Sequence, residues 1–168
     1  YLESPSSVVL SLQDIEAVAR LAKKHQIKTA IDNTWASPIF QKPLKFGIDF
    51  EIHSCSKYIG GHSDVVAGAV IGDKADMESL FTKEFELFGA KIAPFEAWLL
   101  LRSLRTLKIR MDQHQKSGLV VADFLENHPK VKKVIYPHSK NFDQKDLVKK
   151  YLKKPCGQFS IQLKSKSK

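Results

Sequence analysis

The pattern of apolar and polar residues in the first third of the chain predicts an α/β fold. Apolar residues recur at helical spacing from Ile15 as far as Lys24, and Ser11, three residues before Asp14, is expected to cap that helix. Short apolar runs end at Ile31–Asp32 and at Phe50–His53, as is typical of buried strands. With a strand end at the start of the chain, the order strand, helix, strand, strand indicates parallel pairing.

The rest of the chain continues to alternate between strands and helices. A hydrophobic period of two residues indicates a strand, and a period of about 3.6 residues indicates a helix. They predict a strand at Val65–Ile71, a helix at Asp73–Leu87, a break at Phe88–Pro94, a helix at Ile109–Asn127, a strand at Val131–Tyr136, a helix at Phe142–Lys153 and a strand at Gln158–Leu163. From its length of 168 residues, we expect the chain to form one or at most two domains.

The composition is that of an ordinary globular protein. Apolar residues make up 43% of the chain and charged residues 27%, and no apolar run reaches the length of a membrane span. No signal-peptide pattern occurs at the start, so we expect a cytoplasmic protein with no membrane partner. Cys55 and Cys156 are too few for a disulfide framework, and no metal site is expected. Because the chain begins at Tyr1, we interpret it as a piece of a longer protein.

The formal net charge of +9 raises the question of a nucleic-acid partner. The excess lysines gather mainly at Lys145–Lys154 and in the last five residues, and aromatic side chains do not interleave with them in a stacking pattern. Aromatic platforms beside a basic groove are typical of proteins that bind single-stranded nucleic acid. We therefore expect no nucleic-acid partner, and we interpret the lysine-rich helix as having a solvent-exposed face.

The stretch His53–Gly72 is the strongest candidate for chemistry. Ser54 and Ser56 precede Lys57 where a strand opens into a turn, and the pair Gly60-Gly61 lets the backbone adopt turn conformations. A lysine held among apolar walls becomes a nucleophilic amine, as Schiff-base chemistry requires, and the two hydroxyls could hold an anion such as a phosphate. On the pattern alone, a solvated surface lysine is the commoner explanation.

A second candidate, Asp32, ends the strand before the one that leads to Lys57. Ligands of open α/β sheets bind at the carboxyl ends of the strands, so we expect Asp32 and the segment Ser54–Lys57 to converge on one crevice. A turn-forming or helix-capping aspartate also fits the pattern. His53 and His62 flank the lysine without metal-ligand spacing, and we interpret them as packing or hydrogen-bonding residues.

The residues around both candidates resemble a known family. The stretch Ser54–Val65, SCSKYIGGHSDV, is similar to the lysine signature of the Cys/Met-metabolism enzymes that use pyridoxal phosphate. Asp32 lies 25 residues before Lys57, a separation that also fits this family. The segment Glu96–Leu107, followed by Arg110-Met111, resembles a later part of the same enzymes.

The resemblance implies an aspartate-aminotransferase-like α/β fold, called fold type I. Residues 1–107 would form the later part of the large domain that binds pyridoxal phosphate, and residues 108–168 the beginning of the C-terminal domain. The matching family segments lie in the large-domain sheet and at the start of a smaller α/β domain. We therefore expect the cofactor site within the first of these two regions.

The resemblance also implies a role for each site residue. Lys57 would carry pyridoxal 5'-phosphate as an imine, and Asp32 would keep the pyridine nitrogen of the cofactor protonated, with Thr34 beside the ring. Ser54 and Ser56 would bind the phosphate. Two further residues belong to the expected cofactor and substrate neighbourhood, namely Glu3 and Ser7, the latter standing where the family usually has an asparagine.

The activity implied by the resemblance is carbon–sulfur cleavage in transsulfuration or methionine metabolism. The chain is most like cystathionine beta-lyase, which acts on a small sulfur amino acid, here through a Schiff base at Lys57. Cystathionine gamma-lyase, cystathionine gamma-synthase and methionine gamma-lyase are alternatives, and a truncated, non-catalytic fragment is an alternative of another class. The family further implies a homo-oligomer built as a dimer of dimers.

Overall fold

A computed structural model describes residues 1–89 and 91–164 of the chain. Strands and helices alternate along it, as the hydrophobic pattern predicts. In chain order the elements are β1 (Leu2–Glu3), α1 (Ile15–Lys24), β2 (Ala30–Asp32), α2 (Ser37–Phe40), β3 (Phe50–Ser54), β4 (Gly68–Ile71), α3 (Lys74–Leu80), α4 (Glu86–Phe88), α5 (Pro94–Glu126), β5 (Val131–Ile135), α6 (Lys145–Tyr151) and β6 (Ser160–Leu163). A 3-10 turn lies at Pro43–Phe46, and a π-helical turn at Phe81–Phe85 joins α3 to α4.

The first sheet has the order β1-β2-β3-β4. The first three strands are parallel, as predicted, whereas β4 returns antiparallel to β3. The strand predicted at Val65–Ile71 begins only at Gly68, because the preceding residues belong to the turn that joins β3 to β4. The turn after β3 therefore opens at the carboxyl edge of the parallel strands.

Helix α1 packs on this sheet through its apolar face. Ile15 and Ala19 are buried together with Ile31 of β2. The helix is capped by Asp14, whose Oδ1 accepts a hydrogen bond of 3.1 Å from the backbone N–H of Ala17. The prediction of Ser11 as the cap was therefore wrong, because an aspartate one position before the first helical residue reaches that N–H group directly.

One long helix, α5, connects the two regions expected from the sequence. It runs for 33 residues, includes the segment Glu96–Leu107, and covers the helix predicted at Ile109–Asn127 except for Asn127, which is its C-cap. The boundary between residues 1–107 and 108–168 stays a prediction, since α5 crosses it without interruption. A single buried cluster also contains side chains from both regions, among them Phe40, Met111 and Tyr136.

The second sheet is the antiparallel pair of β5 and β6. Helix α6, Lys145–Tyr151, is shorter than the predicted Phe142–Lys153, and β6 begins two residues later than predicted. Residue 90, within the predicted break, and the terminal lysines 166 and 168 lie outside the described residues. In the part of the chain that is described, no helix is both long enough and apolar enough to cross a membrane.

Candidate active site

Three neighbouring strand ends form the edge where the predicted site residues lie. Glu3 of β1 is paired with Asp32 of β2, and Asp32 is paired with Ile52 of β3, two residues before Ser54. Parallel strands end at the same edge of a sheet, which is why one strand register brings these residues to one place. The expectation that the strands carrying Asp32 and Lys57 end side by side is confirmed.

Thr34 joins the ends of β2 and β3. Its backbone N–H donates to Oδ1 of Asp32 over 2.8 Å, and its Oγ1 accepts from the backbone N–H of Ser54 over 2.8 Å. The side chain is only 6% exposed, so both hydrogen bonds are shielded from competing water. Thr34 thus fixes the position of the aspartate relative to the segment that leads to the lysine, a contact that the sequence did not predict.

Lys57 lies in a compact turn directly after β3. The backbone N–H of Lys57 donates to the carbonyl of Ser54 over 3.2 Å, and those of Gly60 and Gly61 donate over 2.7 Å to the carbonyls of Cys55 and Lys57. The Lys57 side chain is exposed, and among residues 1–89 and 91–164 its ammonium forms no ion pair. The apolar walls expected around this lysine are therefore not supplied by the described residues.

The two serines before the lysine differ in their contacts. Oγ of Ser56 accepts from the backbone N–H of Ala67 over 3.1 Å and lies 3.4 Å from the carbonyl of the same residue. The second contact is long for a hydroxyl donor, so the hydroxyl proton can turn toward an anion while the first bond persists. The phosphate-binding role of Ser54 and Ser56 stays a prediction that this geometry permits.

Glu3 and Ser7 form a pair of their own. The hydroxyl of Ser7 donates to Oε1 of Glu3 over 2.7 Å at the exposed end of β1. The Glu3 carboxylate reaches the site edge through its register with Asp32. The expected contacts of Glu3 and Ser7 with cofactor and substrate stay predictions, and the structure adds that the two side chains are bonded to each other.

A buried polar cluster is formed by two side chains of β3, Glu51 and His53, and by Asn33, which follows β2. Oε1 of Glu51 accepts from Nδ2 of Asn33 over 2.6 Å and lies 2.7 Å from Nε2 of His53. All three side chains are at most 5% exposed. The interpretation of His53 as a hydrogen-bonding residue is confirmed, as is that of His62, whose Nδ1 lies 2.7 Å from the carbonyl of Gly60. The strand alternation of Glu51 and His53 was the signal that could have predicted this cluster.

Arg110 of α5 is a further residue at the site whose role the sequence did not indicate. Its guanidinium donates to the backbone carbonyls of Tyr58 and Ile59, the two residues that follow Lys57. Burial, together with the neighbouring Cys156, raises the pKa of Tyr58 above its usual range, so that its hydroxyl stays protonated. The turn after the lysine is therefore held by the guanidinium of Arg110, which bonds two of its backbone carbonyls.

Other features of the described residues lie away from this edge. A cleft bordered by β4, α3 and the π-helical turn is lined mostly by apolar side chains and contains neither Asp32 nor Lys57. In the ranges 1–89 and 91–164, no group of three or more His, Cys, Asp or Glu side chains is placed to hold a metal ion. Neither this cleft nor a metal-binding cluster therefore competes with the strand ends as the candidate site.

Comparisons with known proteins show which family the chain is similar to. A model of the family described as Cys/Met metabolism PLP-dependent enzyme matches residues 1–168. A probable cystathionine gamma-synthase from Herpetosiphon aurantiacus is 42% identical over 98% of this chain and 51% of its own length. A cystathionine beta-lyase from Coxiella burnetii is 40% identical over 98% of this chain and 43% of its own length.

Solved structures show the same fold. The crystal structure of a cystathionine gamma-lyase from Lactobacillus plantarum, complexed with L-serine, matches with a TM-score of 0.93 and 36% identity. The match covers 98% of this chain and 43% of that one, so the chain spans about half the length of the relatives it matches. The fold is the α/β fold of fold type I enzymes that use pyridoxal phosphate. The chain belongs to the Cys/Met-metabolism family of pyridoxal-phosphate-dependent enzymes.

Proposed function

We propose that the protein is a pyridoxal-phosphate-dependent carbon–sulfur lyase, with Lys57 as its catalytic residue. One observation carries the proposal: Asp32 and the segment leading to Lys57 lie at the ends of adjacent parallel strands, joined through Thr34. An amine and a carboxylate set at a fixed separation are the two groups that the chemistry of this cofactor requires of a protein. The activity is assigned to the whole protein, because this chain spans only about half the length of the relatives it matches.

The residues present fit pyridoxal phosphate. Within the described ranges, the Lys57 ammonium has no ion-pair partner, and one oxygen of Asp32 is oriented by the N–H of Thr34. Ser54 and Ser56 add hydroxyls of the kind that bind a phosphate group. Amine, carboxylate and hydroxyls thus match the aldehyde, the ring nitrogen and the phosphate of the cofactor in chemical type.

Each residue has a role that follows from its chemistry. When bound, pyridoxal phosphate supplies an electron sink for negative charge at Cα of an amino acid. The Asp32 carboxylate would hold a proton at the ring nitrogen, and its hydrogen bond with Thr34 keeps the acceptor oxygen oriented. Nζ of Lys57, once it carries no proton, would act as the general base that removes the Cα proton of the substrate. Thr34 would keep these two groups at a constant separation.

The finer assignment is to a lyase most like cystathionine beta-lyase, acting on cystathionine or a related sulfur amino acid. The 40% identity to the Coxiella burnetii enzyme of that name supports it. Cystathionine gamma-lyase, cystathionine gamma-synthase and methionine gamma-lyase are the alternatives, because relatives with such names match at similar identity. We also propose a cytoplasmic homo-oligomer, a dimer of dimers, on the strength of the family resemblance.

The first test is the absorbance spectrum of the purified chain with pyridoxal phosphate, before and after borohydride reduction. We expect a yellow absorbance band near the edge of the visible range, and a reduced label attached to Lys57 by peptide mass spectrometry. Lys57→Ala should lose the label, whereas Lys45→Ala, a control at another exposed lysine, should keep it. Equal labelling of all surface lysines would contradict the assignment of Lys57.

A second candidate is a non-catalytic fragment that retains the fold and an incomplete site. The observation that favours it is the exposure of Lys57, combined with a match to only about half of each relative. The two candidates differ in products: β-elimination from cystathionine leaves a three-carbon keto acid, γ-elimination a four-carbon one, and the fragment releases neither. Detection of the keto acid, with Lys57→Ala as the inactive control, distinguishes them.

A further inference from the structure

The guanidinium of Arg110 binds the turn that follows Lys57. Nη1 donates to the carbonyl of Tyr58 over 2.5 Å, and Nη2 donates to that of Ile59 over 3.2 Å. The same Nη2 also donates to the carbonyl of Ser103 over 3.0 Å, and Nε donates to Oγ1 of Thr106 over 3.1 Å. These last two bonds fix the guanidinium on α5, so its other donors meet the turn from a fixed position.

The turn leaves these two carbonyls available. The N–H groups of Gly60 and Gly61 donate to the carbonyls of Cys55 and Lys57, not to those of Tyr58 and Ile59. Ile59 is buried and Tyr58 is partly buried, and carbonyls that are shielded from water without a partner destabilise a fold. Arg110 therefore supplies the donors that the backbone of the turn lacks.

The contact between Arg110 and the turn requires a glycine at position 61. A Cβ atom at Gly61 would lie 2.1 Å from Nη1 of Arg110 and 2.6 Å from its Cζ, and the residue has a φ of +75°. Both the close approach and the left-handed backbone favour glycine. The Gly60-Gly61 pair thus makes room for the guanidinium as well as permitting the turn.

Other side chains on the same face of α5 contact the turn. Oγ of Ser103 lies 3.3 Å from Nδ1 of His62, and the ring of His114 packs edge-on against that of Tyr58 with centroids 5.0 Å apart. Ser103, Arg110 and His114 follow one another at spacings of seven and four residues, which places them on one helical face. The part of the turn from Tyr58 to His62 therefore packs against α5.

We propose that Arg110 is a positioning residue, which holds the backbone after Lys57 and so sets the place of the Lys57 amine at the site edge. Its guanidinium acts through the carbonyls of Tyr58 and Ile59 and takes no part in proton transfer. The consequence for reactivity rests on the proposed function, whereas the consequence for the backbone of the turn does not.

The test compares Arg110→Gln with Arg105→Gln, a control at an exposed arginine of the same helix. We expect the Gly60 and Gly61 amides of Arg110→Gln to exchange with solvent about tenfold faster, the effect of losing one charge-assisted hydrogen bond. Borohydride-fixed labelling of Lys57 by pyridoxal phosphate should slow by a similar factor. The control should match the wild-type chain in both measurements.

Two further variants test the geometry of the guanidinium and its contact with the turn. Arg110→Lys keeps the charge but has one nitrogen in place of the planar fork, so neither measurement should return to the wild-type value. Gly61→Ala should move the guanidinium away from the turn and reproduce both effects while Arg110 is intact, which covers the case that Arg110→Gln does not fold.

The outcomes separate the inference from the proposed function. Unchanged exchange at both glycines, or full recovery with Arg110→Lys, overturns the inference. Faster exchange with unchanged Lys57 labelling also overturns it, because the turn would then be held without affecting the lysine. If the wild-type chain is not labelled at Lys57, the proposed function fails for this chain, and the exchange rates still decide whether Arg110 holds the turn.

Discussion

His138, just after β5, is a histidine that the fold keeps neutral. Its Nδ1 is buried and has no hydrogen-bond partner among the described residues. Burial lowers the pKa of His138 from its usual 6.5 to about 4, because the charged imidazolium would lose its hydration without gaining a partner. At neutral pH the side chain therefore packs as an uncharged ring beside Tyr136, with ring centroids 6.2 Å apart.

This pKa makes the stability of the protein depend on pH. As the pH falls from 6.5 toward 4, the unfolded chain binds a proton at His138 and the folded chain does not, so the free energy of unfolding decreases. Between pH 7 and pH 5 we expect His138 to account for a loss of about 1–2 kcal/mol. Urea unfolding at the two pH values should show a smaller loss in His138→Gln. An identical loss in both proteins would contradict the prediction.

At the scale of the secondary-structure element, α5 approaches the C-terminal segment closely at Gly118. A Cβ atom there would lie 2.7 Å from the carbonyl oxygen of Cys156 and 3.1 Å from the hydroxyl of Tyr136. That hydroxyl already donates to the same carbonyl over 2.6 Å. The glycine thus allows the helix to contact a hydrogen-bonded backbone that cannot easily move away.

The close packing at α5 predicts an unusual response to a helix-favouring substitution. In an open helix, glycine to alanine stabilises by up to about 1 kcal/mol. Here we expect Gly118→Ala to lower the free energy of unfolding by about 1–3 kcal/mol, because the new methyl group overlaps the Cys156 carbonyl. Ser117→Ala, at the exposed neighbouring position, should change it by less than about 0.5 kcal/mol. Thermal and urea unfolding of the two variants would check the difference.

At the scale of the whole molecule, polar contacts join the segments before α1 and after β2 to the C-terminal region. Oε1 of Gln144 accepts from the backbone N–H of Leu12 over 2.7 Å, and its Nε2 donates to the carbonyl of Leu12 over 2.8 Å. Nε1 of Trp35 donates to the carbonyl of Gln158 over 3.1 Å. With the shared apolar cluster, these contacts predict that the chain unfolds as one cooperative unit.

A substitution of Gln144 tests whether these contacts stabilise the chain as one cooperative unit. Gln144→Ala leaves the backbone N–H and carbonyl of Leu12 without partners, and we expect it to lower the free energy of unfolding by about 1–3 kcal/mol. Gln113→Ala is the control, because that amide is exposed and bonds only Ser117 within the described residues. Unfolding followed by circular dichroism and by tryptophan fluorescence should coincide in the wild-type chain. Two separate transitions there would contradict a single unit.

The sequence predicted those parts of the site that depend on local pattern and strand order. Asp32 ends β2, and Lys57 lies in the turn directly after β3, the neighbouring parallel strand. Both the α/β order and the residues around them indicated this. It did not predict the contacts of Arg110, because these depend on how a distant helix is placed against the turn. The exposure of Lys57 agrees with the commoner explanation of the pattern alone, a solvated surface lysine, and not with the apolar walls expected for a Schiff-base lysine. A pattern of serines and glycines does not show which residues would enclose the amine.

The pairing of β3 with β4 bears on the order in which the chain can assemble. Ser54 and Gly68 close a loop of only 14 residues around the lysine turn, whereas Leu12 and Gln144 are separated by 132. The entropy lost on loop closure grows with the logarithm of loop length, so the second contact costs about 2 kcal/mol more to close than the first. The hairpin that carries Lys57 therefore has the smaller entropic barrier. We expect pulse-labelling hydrogen exchange during refolding to protect the amide of Cys55 before that of Leu12.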